Sequence, residues 1–253
     1  MLETYLRERR KEKDILLMTH IVAGYPDWET CDDLVAAMVA AGVDLMELQI
    51  PFSEPIADGP VILKANQQAL ERGVTVARCL AFGREMARRH AIPFLYMTYY
   101  NILFCHGTAR FVEEMAASGV QGAIVPDLPP EEGDGYLAAM ARHGRHPIFI
   151  FSPTTSDERL QYLASFASGF VYCVARKGVT GMDTRFSEDL EAYLARCRQA
   201  TDLPLALGFG VKDKSDVDFL KGKADIAVIG TQTLRLVDSQ GAGAVEDFIR
   251  GLR

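Results

Sequence analysis

Cysteine is sparse and odd in number. Cys31, Cys79, Cys105, Cys173 and Cys197 are scattered without metal-like spacing, so reduced thiols in a cytoplasmic protein are the expected state. The five histidines (His20, His90, His106, His143 and His146) form no ligand constellation, and a metal centre is not expected. No apolar run approaches the ~20 residues that span a bilayer. The opening stretch "MLETYLRERRKEKD" is too charged for a signal peptide and reads as a helix-prone lead-in. Lys and Arg number 27 against 34 Asp and Glu, a net charge of −7, and no basic run or stripe interrupts that balance. Nucleic acid is therefore a poor partner, while a small anionic substrate needs only a local site. Linkers, low-complexity tracts and second-domain boundaries are also lacking, so residues 1–253 read as a single domain.

What the chain does have is alternation. Short apolar runs begin at Ile15, Asp44, Pro93, Gly122, Pro147, Gly169, Leu203 and Asp225, each continuous enough for a strand buried on both faces. Amphipathic segments lie between them: Trp28–Ala41, Val61–Arg72, Val76–His90, Thr108–Ser118, Glu131–His143, Asp157–Ser165, Phe186–Gln199, Lys214–Leu220 and Ala244–Leu252. Asp27 is placed to cap the first of these and Gly42 to stop it. Eight strand–helix units in 253 residues have the size and rhythm of an α/β (β/α)8 barrel with an extra N-terminal helix. A doubly wound open sheet is the competing architecture. It wants a glycine-rich fingerprint after the first strand, and "VAGYPD" is not one.

Catalytic groups of such barrels sit at the carboxyl ends of the strands. Glu47 ends an apolar run where Val or Ile is expected, and alternation puts Leu45, Glu47 and Gln49 on one face. Burying an unpaired carboxylate is costly. A structural salt bridge is the plain explanation, but no Lys or Arg occurs in any strand core to supply it, so a functional reading is favoured. Asp58, alone, is turn chemistry; beside Glu47 it gains weight. "LGFGV" and "IGTQT" close the seventh and eighth strands with glycines that let backbone amides approach an anion, and a helix N-terminus after the eighth strand adds its dipole. Together they point to a phosphorylated substrate. Tyr172 alternates with Phe170 and Val174, the ordinary pattern of a core aromatic. Lys177 is a conceivable Schiff-base nucleophile, but its place between Arg176 and a Gly-rich loop favours solvent exposure.

"ELQIPFSEPIADGP", with "AGYPD", "MTYYNILF", "VPDLPPEE", "FSPTTSDERL", "RKGVTG" and "LGFGV" in order from residue 15 to about 235, resembles the tryptophan synthase alpha subunit family. The resemblance implies a (β/α)8 barrel that cleaves indole-3-glycerol phosphate to indole and glyceraldehyde 3-phosphate. It implies no cofactor in this chain, and a beta-subunit partner that carries pyridoxal phosphate within an alpha2–beta2 assembly. It also implies roles. Glu47 transfers the proton, Asp58 accepts the indole N–H, and Tyr172 stands beside Glu47. Tyr99, Thr180 and Phe209 belong to the substrate pocket. Gly181, Gly210, Gly230 and Thr231 form the phosphate cradle, with Thr231 in place of the usual Ser.

Several positions depart from that pattern. Gln49 stands where the family has Gly, His20 where it has an aromatic, and Val22 where it has Thr. Glu54 replaces Asp in the loop that faces the beta subunit. Gln49 and His20 are expected to share the indole pocket and to bond to each other. Two other readings follow: an activator of a beta subunit with weakened catalysis, and a Schiff-base aldolase using Lys177.

Overall fold

The structure is a computed structural model and describes residues 2–175, 188–208 and 210–253. One parallel sheet contains β1 (Leu16–Val22), β2 (Leu45–Gln49), β3 (Phe94–Met97), β4 (Gly122–Ile124), β5 (His146–Ile148), β6 (Ile150–Phe151), β7 (Val171–Val174), β8 (Leu205–Gly208) and β9 (Ile226–Ile229). The helices are α1 (Leu2–Glu12), α2 (Trp28–Ala40), α3 (Pro60–Glu71), α4 (Val76–Arg89), α5 (Tyr100–His106) and α6 (Thr108–Ala117). After them come α7 (Asp134–Arg142), α8 (Asp157–Ala164), α9 (Glu188–Ala200), α10 (Lys214–Leu220), α11 (Thr231–Gln240) and α12 (Ala242–Gly251).

Strand order is β5-β4-β3-β2-β1-β9-β8-β7-β6. Its two ends, β5 and β6, are consecutive pieces of the "PIFIF" run, parted only by Phe149. β5 pairs with β4, β6 pairs with β7, and the Phe149 carbonyl accepts from the Tyr172 amide at 2.9 Å. The expected eight strands thus become nine segments, and the sheet curls into a barrel whose seam is one residue wide. Two helices, α5 and α11, lie in stretches without a helical range in the sequence reading. The expected Glu131–His143 helix is divided at Gly133 into a 3-10 turn, Pro130–Glu132, and α7. Asp27 caps α2 as expected, accepting from the Thr30 amide at 2.8 Å.

The core has two layers. Outside the barrel, apolar faces of the helices pack on the strands; inside, Leu16, Met18, Leu45, Leu95, Ile226 and Val228 fill its lumen. Helix α1 closes the amino end by inserting Leu2 and Leu6 into this inner layer. Asp44, fully buried at the start of β2, pins that end. It accepts from the Leu17 amide at 3.0 Å, Arg253 at 2.7 Å, Arg9 at 3.2 Å, and the Lys13 ammonium. Burial raises its pKa, but these donors outweigh that and hold the carboxyl below the usual range. Among the described residues no helix is long and apolar enough to cross a membrane.

Candidate active site

The parallel register of β1 and β2 sets His20 beside Glu47, and alternation turns both toward the lumen at the carboxyl end of the barrel. His20 Nδ1 lies 3.0 Å from Glu47 Oε1, and the two residues are only 3% and 4% exposed. Glu47 therefore has a partner, one that a search for Lys and Arg overlooks: a histidine on the neighbouring strand. Burial pushes the imidazole pKa down. The hydrogen bond and charge of Glu47, then the charge of Asp58, outweigh it and raise the pKa above the ordinary value.

Asp58 stands across from this pair, half-buried in the loop between β2 and α3. Gln49 Nε2 donates to its Oδ2 at 2.6 Å and the Tyr99 hydroxyl donates to the same oxygen at 2.9 Å. Tyr99 in turn accepts from the Ala57 amide at 3.2 Å, so one phenol holds both the carboxylate and the backbone beside it. Burial raises the Asp58 pKa, opposed by His20 and by the Gln49 and Tyr99 hydrogen bonds. The expected Gln49–His20 hydrogen bond does not form. The Gln49 amide nitrogen is drawn to the carboxylate instead, because a charged acceptor makes the stronger bond. Gln49 and Tyr99 are fully buried behind Asp58 and do not line the cleft.

That cleft has a volume of about 860 Å³, open mouth included, and His20, Glu47, Asp58 and Tyr172 line it. Its wall is otherwise apolar, from Ile62, Met97, Ile124, Ile150, Val174 and Val228, which suits a flat aromatic ring. Tyr172 is half-buried rather than a sealed core aromatic. Burial, with the nearby charges of Glu47 and Asp58, pushes its hydroxyl pKa well up. Gly210, Gly230 and Thr231 line the other end. Gly230 is the N-cap of the ten-residue α11 and Thr231 its first residue, so the helix presents its free amides there. Thr180, Gly181 and Phe209, with Lys177, lie outside the described residues.

The sequence reading passed over two supports. Asn66 is fully buried on the packed face of α3; it accepts from the Phe52 amide at 2.9 Å and donates to the Ile62 carbonyl at 2.8 Å. It thereby ties the loop carrying Asp58 to the helix that follows. Phe52 stacks on Tyr99, ring centres 5.2 Å apart. The available signal was an amide among the apolar positions Ile62, Ala65 and Ala69. Thr233, also buried, bonds from α11 to the Gly230 carbonyl at 2.6 Å. No group of three or more His, Cys, Asp or Glu among the described residues could hold a metal ion.

The family model described as "Tryptophan synthase alpha chain" matches residues 6–250. A tryptophan synthase alpha chain from Desulforapulum autotrophicum is 64% identical over 252 residues, covering 100% of both chains. One from Syntrophotalea carbinolica is 62% identical over 253 residues, again covering 100% of both. Among solved structures, Mycobacterium tuberculosis tryptophan synthase superposes with a TM-score of 0.93 at 29% identity, over 99% of this chain and 96% of that one. A chain of the Pyrococcus furiosus tryptophan synthase complex gives 0.85 at 28% identity, over 94% and 97%. Identity of this extent over the whole chain, on the same barrel, means that the chain belongs to the tryptophan synthase alpha chain family, lyases that cleave indole-3-glycerol phosphate to indole and D-glyceraldehyde 3-phosphate.

Proposed function

We propose that Glu47 moves the protons of this retro-aldol cleavage and that Asp58 stabilises the charge it creates. Breaking the bond between indole C3 and the side chain requires C3 to be protonated first, so that the ring can accept the bonding electrons. The side-chain hydroxyl must then lose its proton to become the aldehyde. Glu47 can reach both events from one position, as general acid and then general base. Asp58 accepts a hydrogen bond from the ring N–H as positive charge grows there, an interaction strongest in the transition state. Its bonds from Gln49 and Tyr99 both use Oδ2, so the opposite face of the carboxylate is oriented before substrate arrives. Tyr172 packs beside Glu47 against the ring.

The phosphate belongs at Gly210, Gly230 and Thr231, with Gly181; by the resemblance, Thr180 and Phe209 belong to the ring pocket. Gly230 and Thr231 offer amides at the start of α11, where the helix dipole favours an anion. His20 touches the substrate from the cleft wall, while Gln49 and Tyr99 act on it through Asp58.

The single observation that carries this reading is a buried carboxylate, Glu47, at the carboxyl end of β2, sharing one apolar cleft with Asp58 and a helix N-terminus. The whole chain, residues 1–253, works as one barrel domain without a cofactor of its own. It works in the cytoplasm with a beta subunit that carries pyridoxal phosphate, as an alpha2–beta2 assembly; the Pyrococcus furiosus structure is likewise of a complex. Indole release from indole-3-glycerol phosphate, with and without a beta subunit, tests both parts. Glu47→Gln preserves volume and removes the titrating group, so release should fall by at least ~100-fold. Turnover near wild type in that variant would sink the assignment, and an unaltered rate on adding a beta subunit would sink the partnership.

A further inference from the structure

The proposed chemistry uses Glu47 and Asp58 and gives His20, beyond its place on the cleft wall, no part in proton transfer. A buried imidazole against a catalytic carboxylate, at 3.0 Å, is not a bystander to proton transfer. The groups facing it are Glu47 on β2, Asp58 in the following loop and the Gln49 amide; Tyr172 on β7 completes the titratable set around both carboxylates. The neighbouring contribution from α11 is the uncharged Thr233, whose hydroxyl reaches the His20 carbonyl at 3.4 Å. Two buried atoms here, His20 Nε2 and Gln49 Oε1, have no hydrogen-bond partner among the described residues. The first can donate and the second accept, so a chain Glu47–His20–Gln49–Asp58 joins the two acids with only its middle link unclosed.

We propose that His20 is a positioning residue for Glu47, and that the pair holds one proton between Nδ1 and Oε1 which the reaction spends and restores. In the first half, that proton leaves through Glu47 and forms a bond to indole C3, using the C2–C3 π electrons. The ring nitrogen becomes cationic against Asp58. In the second half, the side-chain O–H bond breaks and its proton returns to the pair. The oxygen electrons form the aldehyde C=O, the C3–side-chain bond breaks, and its electrons return to the ring. One proton has moved from oxygen to carbon, and the pair ends as it began. The imidazole holds this proton on the pair at Nδ1 and fixes which Glu47 oxygen faces the substrate.

This inference rests on Glu47 being the proton-transfer group, and the test separates the two. The His20 imidazole, followed by NMR in the whole chain, should titrate above the ordinary 6.5 in the wild type, and lower in Glu47→Gln. His20→Gln keeps a donor for Glu47 but cannot titrate. In it, kcat for indole release should fall ~100-fold, the effect of a misplaced catalytic group, while KM holds. The alkaline limb of its pH profile should move to lower pH, because the raised His20 titration is gone. His20→Phe should show the same kinetic pattern. A His20 midpoint that Glu47→Gln leaves unmoved overturns the pairing. Wild-type kcat and pH profile in His20→Gln, with Glu47→Gln inactive, overturn this inference alone. Full activity in Glu47→Gln overturns it together with the reading beneath it.

Discussion

Gly208 and Tyr172 are neighbours that exclude any side chain between them: a Cβ at 208 would stand 2.6 Å from the tyrosine hydroxyl. The two residues belong to paired strands, where Tyr172 opposes Ala206. The ring lies over the end of β8 and needs bare backbone there. Gly208→Ala should push it into the cleft, raising KM for indole-3-glycerol phosphate and lowering stability by about 1–3 kcal/mol, as over-packing does. Steady-state kinetics and a denaturant titration check this; an unchanged KM would mean that the ring can yield without entering the substrate's space.

Tyr99→Phe removes one hydrogen bond to Asp58 and the acceptor for the Ala57 amide. Leaving these partners unsatisfied costs about 1–3 kcal/mol, and the loop should loosen just where the carboxylate must be aimed. Indole release should drop while the phosphate end keeps its affinity for glycerol phosphate. Equal loss at both ends would show a general collapse of the cleft rather than a local one.

Gly210 and Gly230 separate two effects that a substitution can have. At Gly210 φ is +87°, so Gly210→Val strains the backbone even though the space around its Cβ is open. At Gly230 φ is negative, and a Cβ would meet His20 at an ordinary 3.4 Å. Gly230→Val should therefore weaken glycerol phosphate binding with little loss of stability, whereas Gly210→Val should lower both. Binding calorimetry and thermal melts read the two quantities independently; tight glycerol phosphate binding by Gly230→Val would remove the phosphate from this corner.

Asp44→Asn should destabilise the fold by roughly 2–3 kcal/mol, below the figure for a fully buried pair because Arg9, Lys13 and Arg253 are each partly exposed. Its pKa is lower folded than unfolded. The stability that it contributes is thus complete above the unfolded value of about 3.8 and is lost as pH falls through the lower folded value. Unfolding midpoints of wild type and Asp44→Asn, measured from about pH 7 down through pH 3.8 and below, should therefore draw together only on the acid side of about 3.8. Parallel curves would assign Asp44 a packing role without charge.

The strands were legible because each had to be apolar on both faces, a demand visible in any stretch such as "LLMTHIV". Asp27 was legible as a cap because capping is local. The break at Phe149 was not, since the residue is as apolar as its neighbours and the change of partner from β4 to β7 is a property of closure. Glu47 and Asp58 stood out as acids in a resembling motif. The partners of Gln49 and His20 did not, because alternation gives the face a side chain shares but not its reach: Gln49 extends to a loop nine residues later, and His20 across to the next strand. The expectation paired those two with each other; the stronger acceptors, Asp58 and Glu47, took one each.

The stopper formed by Leu2 and Leu6 has a consequence for traffic. With the amino end closed by α1, the described cleft lies toward the carboxyl end of the barrel, where Gly230 and the start of α11 also lie. On the proposed reading, with the ring against Glu47 and Asp58 and the phosphate at Gly230, substrate and both products would share that side among the described residues. Product departure, rather than bond breaking, can then govern turnover.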